Sequence, residues 1–290
     1  MQKKYIIVTG VSGFLGTALT KSLINQGYCV IGITRTLNRM KELKIKNLYL
    51  YENHKVSIDK IFLDFPIIYG VIHTATCYGR NGESIKEIVD ANVSYPLQIL
   101  ESATKNNISF FINTDTVLQK YLNLYAMSKN QFLDWGQFFS KSSNIKFINI
   151  KLEHMYGPGD DATKFTAFLF EKLLQNTEKI SLTPGDQERD FIYIDDVISA
   201  YNTILENVSV LKNFDELEVG TGKPIKLKDF ILAAKKAFNS AAILDFGGLP
   251  YRKGEIMTSS CKSIKLRALG WVPKYGHKEG LKMTMLGYKK

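Results

Sequence analysis

Tyr125 and Lys129 stand at i and i+4 in the segment Tyr125-Ala126-Met127-Ser128-Lys129. On a helix this spacing puts both side chains on one face. An ammonium beside a phenol favours the phenolate, which makes the tyrosine a proton donor or acceptor near neutral pH. Upstream, Phe110-Phe111-Ile112-Asn113 leads into Thr114-Asp115-Thr116. Read as a strand, this run ends in a hydroxyl, that of Thr114, suited to hold a carbonyl or carbinol oxygen. Open α/β sheets bind their ligands at such strand ends. The plain structural alternative is a strand-end cap for each threonine, and a Tyr-x-x-x-Lys spacing arises by chance.

A second constellation opens the chain. Residues 5–16 read Tyr-Ile-Ile-Val-Thr-Gly-Val-Ser-Gly-Phe-Leu-Gly, with glycines at 10, 13 and 16. Gly10 permits a tight turn, Gly13 lets a pyrophosphate approach the backbone, and Gly16 lets a helix pack on the sheet. Ser12, Phe14 and Leu15 fall within the same cradle. The spacing GxxGxxG has one residue more than GxGxxG between its first two glycines, and a tight turn without ligand is the alternative reading. The next apolar run, Cys29 to Thr34, is followed by Arg35, with Arg39 four residues on and no acid from 28 to 41. An acidic residue here would suit the ribose hydroxyls of NAD, whereas arginine suits a 2′-phosphate. NADPH is therefore expected over NAD, which stays possible, with two solvated arginines as the alternative.

The elements that must position these residues follow from the pattern. Strands are expected at 4–9, 28–34, 47–51, 68–75, 109–114 and 145–152, with helices at 14–26, 84–105 and 126–140. Such alternation predicts an α/β, doubly wound Rossmann-type parallel sheet. After Lys151 the pattern loosens into a turn cluster at 156–161, helices near 163–175, 195–206 and 226–239, and short strands at 179–183 and 191–194.

Composition sets outer bounds. The chain has 290 residues, 45% of them hydrophobic, enough for a full core. No long apolar stretch predicts a membrane span, and the passage from Met1 into Tyr5-Ile6-Ile7-Val8 has no signal-peptide pattern. Cys29, Cys77 and Cys261 lie far apart, which suits a reduced, cytoplasmic protein. The formal charge is +10, but lysine and arginine are scattered, so small anions are expected as partners rather than nucleic acid. His54, His73, His154 and His277 show no ligand spacing, so no metal is expected.

Taken in order, the glycine cradle, Thr114-Asp115-Thr116, Tyr125-x-x-x-Lys129, Tyr156-Gly157-Pro158-Gly159 and Arg189-Asp190-Phe191-Ile192-Tyr193-Ile194-Asp195-Asp196 resemble the extended short-chain dehydrogenase/reductase family. That family includes nucleotide-sugar epimerases, dehydratases and 4-ketoreductases. The stretches 111–117 and 152–160 resemble its CDP-4-keto-3,6-dideoxyhexose reductases. The resemblance spans nearly the whole chain. It implies a nucleotide-binding domain over 1–152 plus about 191–221, and a smaller mixed α/β substrate lobe over 153–190 plus about 222–290. It implies Thr114, Tyr125 and Lys129 as catalytic residues, the last two also touching cofactor. His73, Thr74, Ala75 and Asn92 fall to the cofactor. Thr76, Thr114, Asp115, Thr116, His154, Lys164, Arg189, Arg252 and Glu255 fall to a nucleotide-diphosphate sugar. Dehydratases of the family carry Glu where this chain has Thr116, which argues against water elimination.

The implied activity is NADPH-dependent reduction at C4 of a nucleotide-linked deoxyhexose, as in making deoxysugars for surface polysaccharide such as lipopolysaccharide O-antigen. A 4-epimerase with retained NAD and a non-catalytic NADP(H)-binding protein are the alternatives. The aromatics Phe132, Trp135, Phe138 and Phe139 are assigned to core packing or to a homodimer interface.

Overall fold

Apolar runs without polar alternation must be covered on both faces. In the computed structural model, which describes residues 3–37, 45–65 and 67–289, the first such run is: Ile6, Ile7 and Val8 of β1 (Tyr5–Thr9) are wholly buried. It is followed by β2 (Cys29–Thr34), β3 (Leu48–Glu52), β4 (Ile68–His73), β5 (Phe110–Thr116) and β6 (Lys146–Leu152). With Phe214–Val219 they make a seven-stranded sheet in the order Phe214–Val219, β6, β5, β4, β1, β2, β3. β1 runs parallel to β2 and to β4, β2 to β3, and β4 to β5. The order reverses between β1 and β4, the switch point at which a doubly wound sheet leaves its ligand crevice. The expected fold class is therefore the observed one.

One face of the sheet is closed by Ile7, Ile31, Val71 and Phe111 packing with Phe62, Ile99, Leu100 and Phe132 from helices. Each such side chain contributes about 1.5–3 kcal/mol through burial. Helix α1 (Phe14–Asn25) buries Leu15, Leu19 and Leu23.

Several elements differ from expectation, among them the seventh sheet strand, Phe214–Val219, which was not foreseen. The single helix expected over 84–105 is Ile85–Val89, a π-helical turn Asp90–Ser94, and Tyr95–Lys105. Pro96 has no N–H for the α-helical ladder, and the turn before it widens so that Tyr95 N–H reaches the Asp90 carbonyl. A helix at Ile58–Asp64, unforeseen because it is short, starts on a Ser57 cap that accepts from Lys60 N–H. β5 runs two residues past Thr114, to Thr116.

The chain forms two compact units. The first comprises Met1–Lys151 and Ile204–Leu217, the second Leu152–Thr203 and Glu218–Lys290. The return to the first unit is thus shorter than the 191–221 expected. Phe191–Tyr193 instead pairs in parallel with His154–Tyr156, a ladder internal to the second unit. The second unit also holds the parallel pair Lys179–Leu182 and Ile243–Phe246, and a three-stranded group of Ile225–Lys226, Glu188–Arg189 and Thr258–Ser259. Its helices Phe165–Leu174 and Leu227–Phe238 pack through stacked rings, with Phe170 and Phe238 centroids 5.2 Å apart.

Candidate functional site

The turn after β1 folds back on the sheet. Gly10 N–H donates to the Ile33 carbonyl at 2.9 Å and Gly13 N–H to the Gly10 carbonyl at 2.8 Å. Gly10 has φ +67, and a Cβ there would lie 2.8 Å from the Ala75 backbone. A Cβ on Gly16 would drive into the Gly10 carbonyl, so α1 sits against the turn only because position 16 has no side chain. Gly13 is exposed, and a Cβ there would meet only the Gly10 oxygen, at 3.1 Å. No side chain caps α1, and its first turn carries no acid. A positive helix end without its own anion, beside an open glycine, fits a pyrophosphate. Ser12 is tied to the end of β2 by its hydroxyl, 2.7 Å from that of Thr34. Phe14 is half-buried and Leu15 buried. Arg35 follows β2 and is exposed. Arg39 lies outside the described residues.

The loop after β4 meets this turn. Thr74 donates its hydroxyl to the Thr9 carbonyl at 2.7 Å, and Ala75 N–H reaches Thr9 Oγ1 at 3.3 Å. His73 ends β4, at the base of this loop. It is wholly buried, with Nδ1 2.7 Å from Thr9 Oγ1 and its ring among Tyr95, Phe111 and Phe132. Burial, aided by the Lys129 charge, holds its pKa well below the usual histidine value. The Asn92 amide donates to Cys77 O at 2.8 Å and Ser128 Oγ at 2.9 Å, and accepts from Cys77 N–H at 2.7 Å and Thr76 Oγ1 at 3.2 Å. Two donors and two lone pairs are then fully used. Asn92 braces Ser128, whose hydroxyl donates to the Tyr125 carbonyl at 2.8 Å. The widened turn places this brace, and it supports the helix that carries Tyr125 and Lys129.

That helix is Leu124–Ser142, capped by Asn123, which accepts from Ala126 N–H at 2.8 Å. Tyr125 is half-buried in its first turn and Lys129 is 1% exposed. Burial pushes the Tyr125 phenol well above its ordinary range. Tyr78 and Asp115 push the same way, against a hydrogen bond from Thr116 and the charge of Arg80. Burial lowers the Lys129 pKa, and Asp115 opposes it. The sequence expectation that Lys129 favours the phenolate is thus modified: the phenol is held in its neutral, proton-donating form.

Asp115 is 4% exposed. One oxygen accepts from Thr116 N–H at 2.8 Å and the other from Asn149 Nδ2 at 2.9 Å, and Asn113 donates to Asn149 at 2.7 Å. Sequence reasoning missed this polar thread, although asparagines inside apolar strands were a signal for it. Thr114 is half-buried two residues before the end of β5, and Thr76 is half-buried in the loop after β4.

The remaining predicted residues lie in the second unit. Lys164 is 2.9 Å from Asp160, whose pKa is raised by burial against that lysine. Arg189 pairs with Glu255 at 2.5 Å and donates to the Glu188 carbonyl at 2.8 Å. Arg252 is exposed. His154 touches Glu153, with Nδ1 to Oε2 at 3.2 Å. Glu153, Asp190 and Cys261, distant in sequence and not foreseen, bring ligand-type atoms within 4.8 Å of one another. Asp190 accepts there from Thr221 N–H at 2.9 Å and Gly222 N–H at 2.8 Å, and Glu153 from Ser259. Among the described residues no helix is long and apolar enough to cross a membrane.

A glycine cradle at the switch point of a parallel sheet, with Tyr125 and Lys129 beside the Asp115–Thr116 end of β5, is a site for a dinucleotide, and the family and relatives below make the protein an NAD(P)-dependent enzyme of nucleotide-sugar modification. Residues 6–220 match the model of the NAD dependent epimerase/dehydratase family. CDP-abequose synthase of Salmonella typhimurium is 36% identical over 289 residues, covering 96% of each chain. The CDP-abequose synthase of Yersinia pseudotuberculosis is 26% identical, covering 89% of this chain and 92% of its own. Among solved structures, UDP-glucuronic acid 4-epimerase from Bacillus cereus superposes with a TM-score of 0.87 at 22% identity, covering 98% of this chain and 99% of its own. The chain belongs to the NAD dependent epimerase/dehydratase family.

Proposed function

We propose that this enzyme uses NADPH to reduce the C4 keto group of a nucleotide-linked 6-deoxy or 3,6-dideoxy hexose. Such a product serves the assembly of deoxysugars for surface polysaccharide such as lipopolysaccharide O-antigen. The observation that carries the reading is likeness to CDP-abequose synthase over 96% of the chain. The threonine, tyrosine and lysine needed for ketone reduction are all present beside it.

The nicotinamide, when bound, supplies the hydride. Gly10, Ser12, Gly13, Phe14, Leu15 and Gly16 hold its pyrophosphate, while Thr74 and Ala75 line the adjoining loop. Arg35, with Arg39, takes the 2′-phosphate. Thr114 donates a hydrogen bond to the substrate oxygen, and Tyr125 delivers the proton as that oxygen becomes an alkoxide. A phenol kept neutral by burial is the form that a donor needs. Lys129 holds the ribose and keeps positive charge near the phenol as it loses its proton. Thr76, Thr116, His154, Lys164, Arg189 and Arg252 bind the nucleotide sugar, with Glu255 orienting Arg189. We place the enzyme in the cytoplasm, a reading supported by three buried free cysteines, and as a homodimer.

The test is to offer NADPH with CDP-, dTDP-, GDP- and UDP-linked 4-keto-deoxysugars and follow NADPH absorbance with product analysis. Oxidation matched to product is expected with at least one, and none with any would overturn the reading. Tightly retained NAD and turnover without added reductant would mark a 4-epimerase instead. Tyr125→Phe should cut turnover by about 10²–10⁴-fold while NADPH still binds. Arg35→Ala should weaken NADPH more than NADH.

A further inference from the structure

The second unit holds a carboxylate that the proposed reaction does not use. The Glu153 side chain is 1% exposed. Ser259 Oγ lies 3.1 and 3.0 Å from its two oxygens, and Oε2 lies 3.2 Å from Nδ1 of His154. The imidazole is 34% exposed. Its backbone is held from two sides: His154 pairs with Phe191 in a parallel ladder, and its N–H donates to the Asp190 carbonyl at 3.1 Å. The Phe191 ring stands edge-on to the imidazole, with centroids 6.0 Å apart.

A carboxylate in this place is costly. It is withdrawn from water and shares its surroundings with Asp190, a second acid. Glutamine would accept from Ser259 equally well without the charge. What glutamine lacks is directional bias, because its amide both donates and accepts. A carboxylate only accepts, so a ring nitrogen bonded to it must carry the proton. In the neutral ring the other nitrogen is then an acceptor.

We propose that Glu153 is a positioning residue that holds His154 in the Nδ1–H tautomer. This leaves Nε2, on the partly exposed ring, to accept a hydrogen bond from a hydroxyl of the nucleotide sugar. A phosphate, itself an acceptor, does not fit a bare Nε2. The assignment rests on the second unit being the nucleotide-sugar side of the proposed reaction.

The test reads the tautomer directly. Full-length protein labelled with ¹⁵N-histidine is studied by long-range ¹H–¹⁵N correlation, on the alkaline side of the imidazole titration. His154→Gln assigns the resonances among the four histidines. The wild type should show His154 protonated at Nδ1, and Glu153→Gln should shift the ring toward a tautomer mixture. Ser259→Ala, which frees one anchor of the carboxylate, should produce a smaller shift in the same direction. Adding CDP-glucose or UDP-glucose should move the His154 Nε2 signal. In turnover, Glu153→Gln should raise the KM for the sugar nucleotide about tenfold with kcat little changed.

A wild-type ring protonated at Nε2, an unchanged tautomer in both variants, or a His154 signal indifferent to both sugar nucleotides would overturn the proposal. If Glu153→Gln does not fold, Ser259→Ala and the ligand titration carry the decision. Absence of NADPH oxidation with every 4-keto substrate, alongside the expected spectra, would remove the reductase reading and leave the Glu153–His154 assignment standing.

Discussion

Lys129 and Asp115 are both nearly out of water, and the charge of Asp115 opposes what burial does to the Lys129 ammonium. Asp115 raises the Lys129 pKa against burial and raises that of Tyr125 with burial. Replacing it by asparagine removes both effects. Asp115→Asn should therefore displace the alkaline limb of the kcat–pH profile to lower pH, as read from initial rates between pH 6 and 10. A limb that stays in place would show that the carboxylate does not set this pair. His73 makes a separate prediction about stability. Its folded pKa lies well below its unfolded value, so below about pH 6.5 the unfolded chain takes up a proton that the native chain refuses. Stability is then full above that pH and falls on acidification, by up to about 1.4 kcal/mol per pH unit from this one group. His73→Leu should flatten the decline between pH 7 and 5 in denaturant unfolding, whatever it does to stability at pH 7.

At the scale of elements, the strand–turn–helix at the chain start is the most constrained piece. Gly10 combines a positive φ with a backbone neighbour where a side chain would go. Gly10→Ala should cost about 1–3 kcal/mol of stability. It should also abolish the rise in Tm that NADPH gives the wild type, a pair of effects that thermal melts with and without nucleotide will separate. The same scale explains what the periodicity of 84–105 hides. An unbroken helical pattern is visible there, but the effect of Pro96 on the ladder before it is a backbone matter. The resulting turn is what aims Asn92 at Cys77 and Ser128.

For the whole molecule, Trp135 and Phe138 stand 43% and 58% exposed on the helix that carries Tyr125 and Lys129. Their rings meet edge to face at 6.2 Å. Two large aromatics left in water on one helix are an apolar surface in want of a cover. On the homodimer proposed above, Trp135→Glu with Phe138→Glu should convert the protein to monomer in light scattering, with folding retained because neither side chain is in the core. A wild type already monomeric at micromolar concentration would remove that proposal.

Six of the seven sheet strands, α1 and the Tyr125–Lys129 helix were legible in the sequence because each rests on local signals: apolar runs, glycines at a turn, a four-residue spacing on one helical face. The meaning of side chains that share an environment was not legible, since it depends on partners far along the chain. Asp115 accepts from Asn149, His73 is sealed beneath three rings, and Glu153 meets Ser259 and His154. Sequence alone determined which residues are chemically able to act. Burial and long-range hydrogen bonds, which exist only once the chain has folded, decided which protons they hold and which way they point.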